Sequence, residues 1–309
     1  MTLLTLGESL ICFDSGEDRL DAASRVRKYV VGAESNVAIG LARLGRSVAY
    51  IGRVGTDAGG REIVRTLRGE GVDVSGVRTV ADLPTAVLIK EQTAPGRVGV
   101  TYHRRHAAGA TLSPADIPQD FSGIRRLHVT GITLVLSASA RDAALEAMQR
   151  ARGAGARVSL DANFRRTLAS DDVLVREFEN AAALADEVFL GRGEAALCAG
   201  TESTPEQYAQ GLDVETVVLK GGNGGATAFF AGDRISVEAE QVPVVDPVGS
   251  GDGFVVGYLD TMLSGGTIAD ALSRGAKVAA RVIGCRGDYQ GLPYEGELDD
   301  RRAELAVTR

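Results

Sequence analysis

The sequence predicts an α/β fold with a mainly parallel central sheet flanked by helices and a small β-sheet projecting from it. Three observations lead there: short β-type runs alternate with helical patterns along the chain, the composition can bury a full core, and two stretches break the alternation. The runs are residues 3–6, 48–51, 127–130, 158–160, 187–190 and 216–219, each rich in Leu, Val or Ile. Between them, residues 36–44 put Val37, Leu41 and Leu44 on one helical face, and residues 140–152 form an Ala-rich helical pattern. At 309 residues, with 44% hydrophobic and 24% charged side chains, one domain spanning 1–309 is expected.

The breaks fall at about 12–31 and 85–105. In the second, TAVLIKEQ and RVGVTYHRR are two extended runs around the turn Ala94-Pro95-Gly96. Together the two stretches read as a discontinuous β-lid able to close over a ligand, or as an ordinary edge hairpin.

Charge and cysteine usage exclude whole classes of function. A formal net charge of −7 leaves no electrostatic footprint for nucleic acid or an anionic membrane. Cys12, Cys198 and Cys285 are far apart, with neither disulfide-framework nor zinc spacing, which fits a reducing compartment. The first ten residues lack an export signal and no apolar run is long enough to span a bilayer, so a cytoplasmic protein is expected.

The stretch with the most chemistry is Asp246-Pro-Val-Gly-Ser-Gly-Asp-Gly-Phe254. Residues 237–245 have an extended pattern, and from Asp252 onward Phe254, Val255, Tyr258, Leu259 and Met262 recur at helical spacing. The glycines therefore belong to a strand-to-helix junction. A helix start offers unpaired N–H groups and partial positive charge, and Gly249 and Gly251 admit a ligand close to the backbone. Asp252 in the first turn is placed to take a proton from a hydroxyl attacking at the same spot. A helix-capping aspartate after a Gly-rich turn, or half of a dinucleotide fingerprint, would explain the same letters.

In this stretch the sequence resembles the ribokinase-like (PfkB) family of sugar kinases, whose second signature reads D-[TP]-x-G-A-G-D-x-F. Asp246, Gly249, Gly251, Asp252 and Phe254 are in register, with Ser250 in place of the usual Ala. The first signature is matched by residues 31–45, VGAESNVAIGLARLG, and residues 52–59, GRVGTDAG, resemble G-x-V-G-x-D-x-x-G. The resemblance implies a ribokinase-like fold and ATP-dependent phosphorylation of a sugar hydroxyl. Asp252 would be the base, and the amides of Gly249, Ser250, Gly251 and Asp252 would stabilise the transferring phosphoryl group.

It further implies that Lys220, Gly222 and Gly225, in LKGGNGGA, lie near ATP, or else merely turn a hairpin. Glu194 would organise Mg²⁺ through water, although Gly191 replaces the Asn of the family's N-x-x-E. Asp161 and Asn163 of D-x-N-x-R would lie near the phosphates.

Within the family the chain is similar to the 2-keto-3-deoxygluconate kinases, on Tyr102-His-Arg104, Asn163-Phe-Arg165 and Arg286-Gly-Asp-Tyr-Gln-Gly-Leu-Pro293. A carboxylate ligand calls for the planar fork of Arg, which a plain hexose does not need. Arg104 and Arg165 are the expected partners. The resemblance adds Gly32, Ala33 and Asn36 near sugar hydroxyls, Tyr102 against the substrate and Asp288 as a hydroxyl acceptor. Leu88 and His103 stand where close relatives place Tyr, so a galacto epimer, fructose or ribose stays open as substrate.

His128, on an apolar strand, reads as a core histidine. A sugar or nucleotide sensor that lost turnover is the competing class, and a Rossmann dehydrogenase lacks its fingerprint after the first strand. Exposed lid edges suggest a homo-oligomer, a dimer or larger.

Overall fold

The computed structural model describes residues 1–94 and 97–298. The strands are β1 (Leu3–Leu6), β2 (Leu10–Asp14), β3 (Arg27–Val31), β4 (Val48–Gly55), β5 (Val77–Val80), β6 (Val87–Ala94), β7 (Arg97–His103), β8 (Arg126–Thr130), β9 (Arg157–Asp161), β10 (Glu187–Gly191), β11 (Thr216–Lys220), β12 (Ala226–Phe230) and β13 (Asp233–Val237). The helices are α1 (Ala33–Arg43), α2 (Ala58–Gly69), α3 (Gly131–Leu136), α4 (Ala138–Gly153), α5 (Asp171–Ala182), α6 (Arg192–Ala199), α7 (Pro205–Gly211), α8 (Ser250–Leu263) and α9 (Ile268–Ile283).

Nine strands form the main sheet in the order β13-β12-β11-β10-β9-β8-β1-β4-β5. From β11 to β5 all neighbours are parallel, and β12 and β13 close one edge as an antiparallel hairpin. The central strands are buried on both faces, which is why they read as unbroken apolar runs instead of alternating ones. One face is covered by α4 and α5: Ala140, Ala143, Ala144, Ala147 and Phe178 meet Leu127, Val158 and Val188. The small alanines let α4 approach the sheet closely. On the other face α1, α2, α8 and α9 bring Val37, Leu41, Ile63, Val255, Leu259 and Val278 against Leu3, Tyr50 and Val218. Each such large side chain contributes about 1.5–3 kcal/mol by leaving water.

Parallel strands end on the same edge of the sheet. Residues following β1, β8, β9, β10 and β11 therefore converge there, the usual place for a ligand on an open α/β sheet.

The two stretches that break the alternation form one separate four-stranded sheet, β3-β2-β6-β7. They are a small sheet built from both segments and not a lone edge hairpin. Of the turn expected at 94–96, Pro95 and Gly96 lie outside the described residues. One boundary differs from expectation. Residues 238–249 carry no regular structure, because Pro243 lacks the N–H a ladder needs and Val244 and Val245 are exposed. The helix starts at Ser250 with Gly249 as its N-cap, so Asp252 lies in its first turn as expected.

No helix among the described residues is long and apolar enough to cross a membrane.

Candidate active site

A cavity of about 500 Å³ opens where the sheet's strand ends meet the small sheet. Its walls hold Gly32, Ala33, Tyr102, Arg104, Arg165, Lys220, Glu194, Gly249, Gly251, Asp252 and Asp288, brought together from segments spread between residues 32 and 288. A second pocket of about 170 Å³ adjoins it, sharing Lys220 and Gly251 and adding Gly222, Gly225 and Ser250. Asn36 stands behind Asp252. All the site residues expected from sequence are thus clustered at these two pockets.

Gly249 turns the chain into α8 with φ 77, and a β-carbon there would meet the Asp288 carbonyl oxygen at 2.3 Å. Only glycine fits such a position without displacing the backbone. The amides of Gly249, Gly251 and Asp252 have no acceptor among the described residues, as befits a helix start. Ser250 differs: its amide reaches the Pro247 carbonyl at 3.4 Å and its hydroxyl donates to the same oxygen at 2.8 Å. It is thereby the weakest of the four expected donors.

Asp252 is 8% exposed; one oxygen accepts from Asn36 Nδ2 at 2.8 Å and the other from Asn163 Nδ2 at 3.4 Å. Burial pushes its carboxyl up to about 7, with Asp161 and Asp288 adding to the rise while Asn36 and Arg165 oppose it. A carboxylate poised near neutrality in a cavity wall is equipped to accept a proton. Asn36 Oδ1 is buried without a partner, so only the Nδ2 end of that amide is engaged. Asp288 is likewise raised by burial, to about 6.

Lys220 Nζ donates to both oxygens of Asp161, at 2.8 and 2.7 Å. Burial alone would lower its ammonium, but Asp161, Glu194 and Asp252 around it raise it. A β-carbon on Gly251 would lie 3.6 Å from that nitrogen, so a fixed positive charge stands beside the helix start. Gly222 and Gly225 turn the β11–β12 hairpin and also line the second pocket. Val242, Val244, Phe254, Ala276, Ala279 and Ile283 give that pocket an apolar wall, and Asn223, Glu240 and Gln241 add polar groups to its lining.

Glu194 accepts backbone N–H groups from Phe164 at 2.7 Å and Gly191 at 2.6 Å. Among the described residues no three His, Cys, Asp or Glu side chains come together as direct metal ligands. Asp161 and Glu194 thus fit a hydrated cation carried in by phosphates and met through water, since a hard divalent ion readily keeps several waters.

The two expected arginines are held differently. Arg165 lines the cavity, and its guanidinium makes no hydrogen bond or ion pair to another described residue, while its carbonyl accepts the Leu168 N–H at 2.8 Å. Arg104 is 5% exposed, stacks over Tyr102 at 5.1 Å and is held by Glu8, whose Oε2 accepts from Nε at 2.7 Å and from Nη2 at 2.6 Å. Glu8 occupies one edge of the guanidinium and leaves the other edge for a ligand. Burial pushes the Glu8 carboxyl up to about 7 against the pull of Arg104, and Glu34 nearby adds to the rise. Glu34 is raised by its own burial and receives hydroxyl bonds from Thr130 at 2.7 Å and Thr133 at 2.6 Å.

Glu8, Glu34 and Lys90 were not marked out by sequence. The one available signal was strand alternation, which puts Lys90 two residues beyond Leu88 on the face toward the cavity. His103 is exposed and outside the cavity wall, so its replacement of Tyr removes no wall contact, whereas Leu88 does line it. His128 is fully buried, bonds Ser159 Oγ through Nδ1 at 2.9 Å and is lowered by burial to about 3: a neutral core histidine with Nε2 unpartnered.

A buried carboxylate beside free helix-start amides, a lysine shared by two glycine-lined pockets and a small sheet bordering the larger one make up the site. The family model described as pfkB family carbohydrate kinase matches residues 2–294. This chain belongs to the pfkB family of carbohydrate kinases. A 2-dehydro-3-deoxygluconokinase from Bacillus subtilis is 39% identical over 96% of this chain and 93% of its own length. Another, from Thermoproteus tenax, is 33% identical over 97% and 94%. The crystal structure of aminoimidazole riboside kinase from Salmonella enterica, complexed with aminoimidazole riboside and an ATP analogue, superposes with TM-score 0.86 at 28% identity over 97% of this chain and 99% of that one. The pfkB signature, including its Ser250 variant, is thus set in a ribokinase-like frame, and the protein is a carbohydrate kinase.

Proposed function

We propose that this kinase transfers the terminal phosphoryl group of ATP to the 6-hydroxyl of a keto-deoxy sugar acid, with 2-keto-3-deoxygluconate (2-dehydro-3-deoxygluconate) as the first choice. One observation carries the reading: a single cavity has Asp252 and the free amides of Gly249 and Gly251 at one end and the guanidinium groups of Arg165 and Arg104 on its walls.

Arg165 and the open edge of Arg104 pair with the substrate carboxylate, which orients the sugar and turns its far hydroxyl toward Asp252. Tyr102, Gly32, Ala33 and Asn36 shape the space for its hydroxyls, and Asp288 accepts from one of them. Asp252 takes the proton as the hydroxyl attacks. The amides at the start of α8, with Lys220, hold the charge that builds on the phosphoryl oxygens, and donors already aligned there need no reorganisation. The second pocket receives the nucleotide, its base against Val242, Val244 and Ala276 and its phosphates toward Gly222, Gly225 and Lys220. Glu194 and Asp161 would hold a phosphate-borne Mg²⁺ through water, and that ion would supply neutralisation of part of the phosphate charge. The small sheet is the lid that excludes water, and its edges are where a second subunit would pair; light scattering that finds only monomer would refute that pairing. The reading places the protein in the cytoplasm, beside the ATP pool.

A neutral ketose such as fructose is the second reading, favoured by Glu8 already offsetting the charge of Arg104. ADP release with Mg²⁺ and ATP, measured for 2-keto-3-deoxygluconate, its galacto epimer, fructose and ribose, separates the two. Turnover confined to the keto acids supports the first. Turnover with fructose alone replaces it, and nucleotide binding without turnover on any sugar leaves a sensor.

A further inference from the structure

Lys90 lies on the small sheet, in the middle of β6, yet it is only 7% exposed. Its ammonium is bonded to the buried carboxylate of Asp246, the first residue of the turn leading into α8. The same carboxylate accepts the Val248 N–H at 3.2 Å and the Gly287 N–H at 3.4 Å. Three segments therefore meet at one anion: the small sheet, the turn that carries the free amides, and the loop that carries Asp288. The last two are packed backbone to backbone where Gly249 meets the Asp288 carbonyl. Lys90 is itself held in the small sheet, its carbonyl accepting the Ser15 N–H at 3.0 Å. A second ion pair, Arg286 Nη2 to Glu17 Oε1 at 2.7 Å, joins the same loop to the same sheet from outside.

We propose that Lys90 is a positioning residue for phosphoryl transfer: by joining the small sheet to Asp246, it sets the turn of Gly249–Asp252 and the loop of Asp288 in their working places only when that sheet is seated over the cavity. This rests on the kinase reading above. A buried ammonium and a buried carboxylate are each strongly disfavoured alone, so intermediate states with the sheet half seated and the pair half formed are penalised. The pair is formed with the sheet down, or both groups are in water with the sheet away. Seating the sheet over an acceptor and tightening the phosphoryl-binding turn thereby become one event, which suppresses transfer to water when no acceptor is bound.

The test uses the full chain with Lys90→Met, Lys90→Arg and the double variant Lys90→Met/Asp246→Asn, which leaves no buried charge alone. Lys90→Met is expected to lower kcat by about 10- to 100-fold while moving the acceptor KM less than about 3-fold, and Lys90→Arg to restore most of the loss. The double variant should regain the melting temperature but not kcat. Recovery of kcat along with stability would reduce the pair to charge neutralisation and overturn the proposal, as would a rise in KM at unchanged kcat. Hydrogen exchange at the bonded amides of Val248, Gly253 and Gly287 supplies a readout independent of turnover. Lys90→Met should speed it, and unchanged exchange sinks the proposal even if no sugar proves to be a substrate. Failure of the kinase reading is seen separately, as wild-type protein without ADP release.

Discussion

The two ends of the cavity are built in opposite ways. At the phosphoryl end the working groups are main-chain amides presented by a local turn, with Gly249 at φ 77 and Asp252 three residues on. At the sugar end they are long side chains, Arg104 held by an ion pair to Glu8 from across the fold and Arg165 from the segment after β9. The first design fixes geometry through the backbone and tolerates little substitution. The second tunes charge, so one substitution can change which acceptor is welcome while leaving the transfer chemistry in place.

The largest effect expected at the phosphoryl end is that of Asp252→Asn, which should lower kcat by about 10²- to 10⁴-fold in ADP release with nucleotide affinity within a few-fold. A loss under 10-fold would remove Asp252 as the base. Gly249→Ala comes next, because its β-carbon meets the Asp288 carbonyl: kcat should fall strongly and stability by about 1–3 kcal/mol in denaturant melts. Arg165→Ala belongs to the other end and should raise the KM for a keto acid by about 10- to 100-fold with a far smaller change in kcat, as expected for one lost charge-assisted contact. If both ends responded alike, in kcat and KM together, the contrast between them would fail.

The pH dependence sharpens the contrast further. Asp252 works as the unprotonated form, so kcat/KM should rise about tenfold per pH unit below about 7 and level off above it, and Asp252→Asn should abolish that limb. Stability should move the other way. The folded-state pKa of Asp252 lies above its ordinary value of 3.8, so its contribution to stability is complete below that value and is lost as pH rises through about 7. Asp252→Asn is therefore expected to melt a few degrees higher than wild type at pH 8 and to lose that advantage progressively as pH falls toward about 4, the smallest of these effects.

The phosphoryl end was legible in the sequence because its determinants are contiguous: a glycine pair, an aspartate and a helical pattern inside nine residues. The six main strands were legible for a similar reason, since burial on both faces leaves an unbroken apolar run. The extended pattern at 237–245 misled because period-two alternation carries no information about whether a partner strand exists. At the sugar end the sequence named Arg104 and Arg165 through their resemblance to sugar-acid kinases, but not that Glu8, 96 residues away from Arg104, holds one of them.

By itself, then, the sequence determined the α/β class, the family signature and the placing of Asp252 in the first turn of a helix, since these follow from local backbone chemistry and the burial pattern. Only the tertiary structure decided that Arg104 shares its charge with Glu8, that Lys90 reaches Asp246 across 156 residues, and that burial lifts Asp252 toward neutral pH. Coulomb and desolvation energies depend on distances and dielectric surroundings that exist only once the chain has folded.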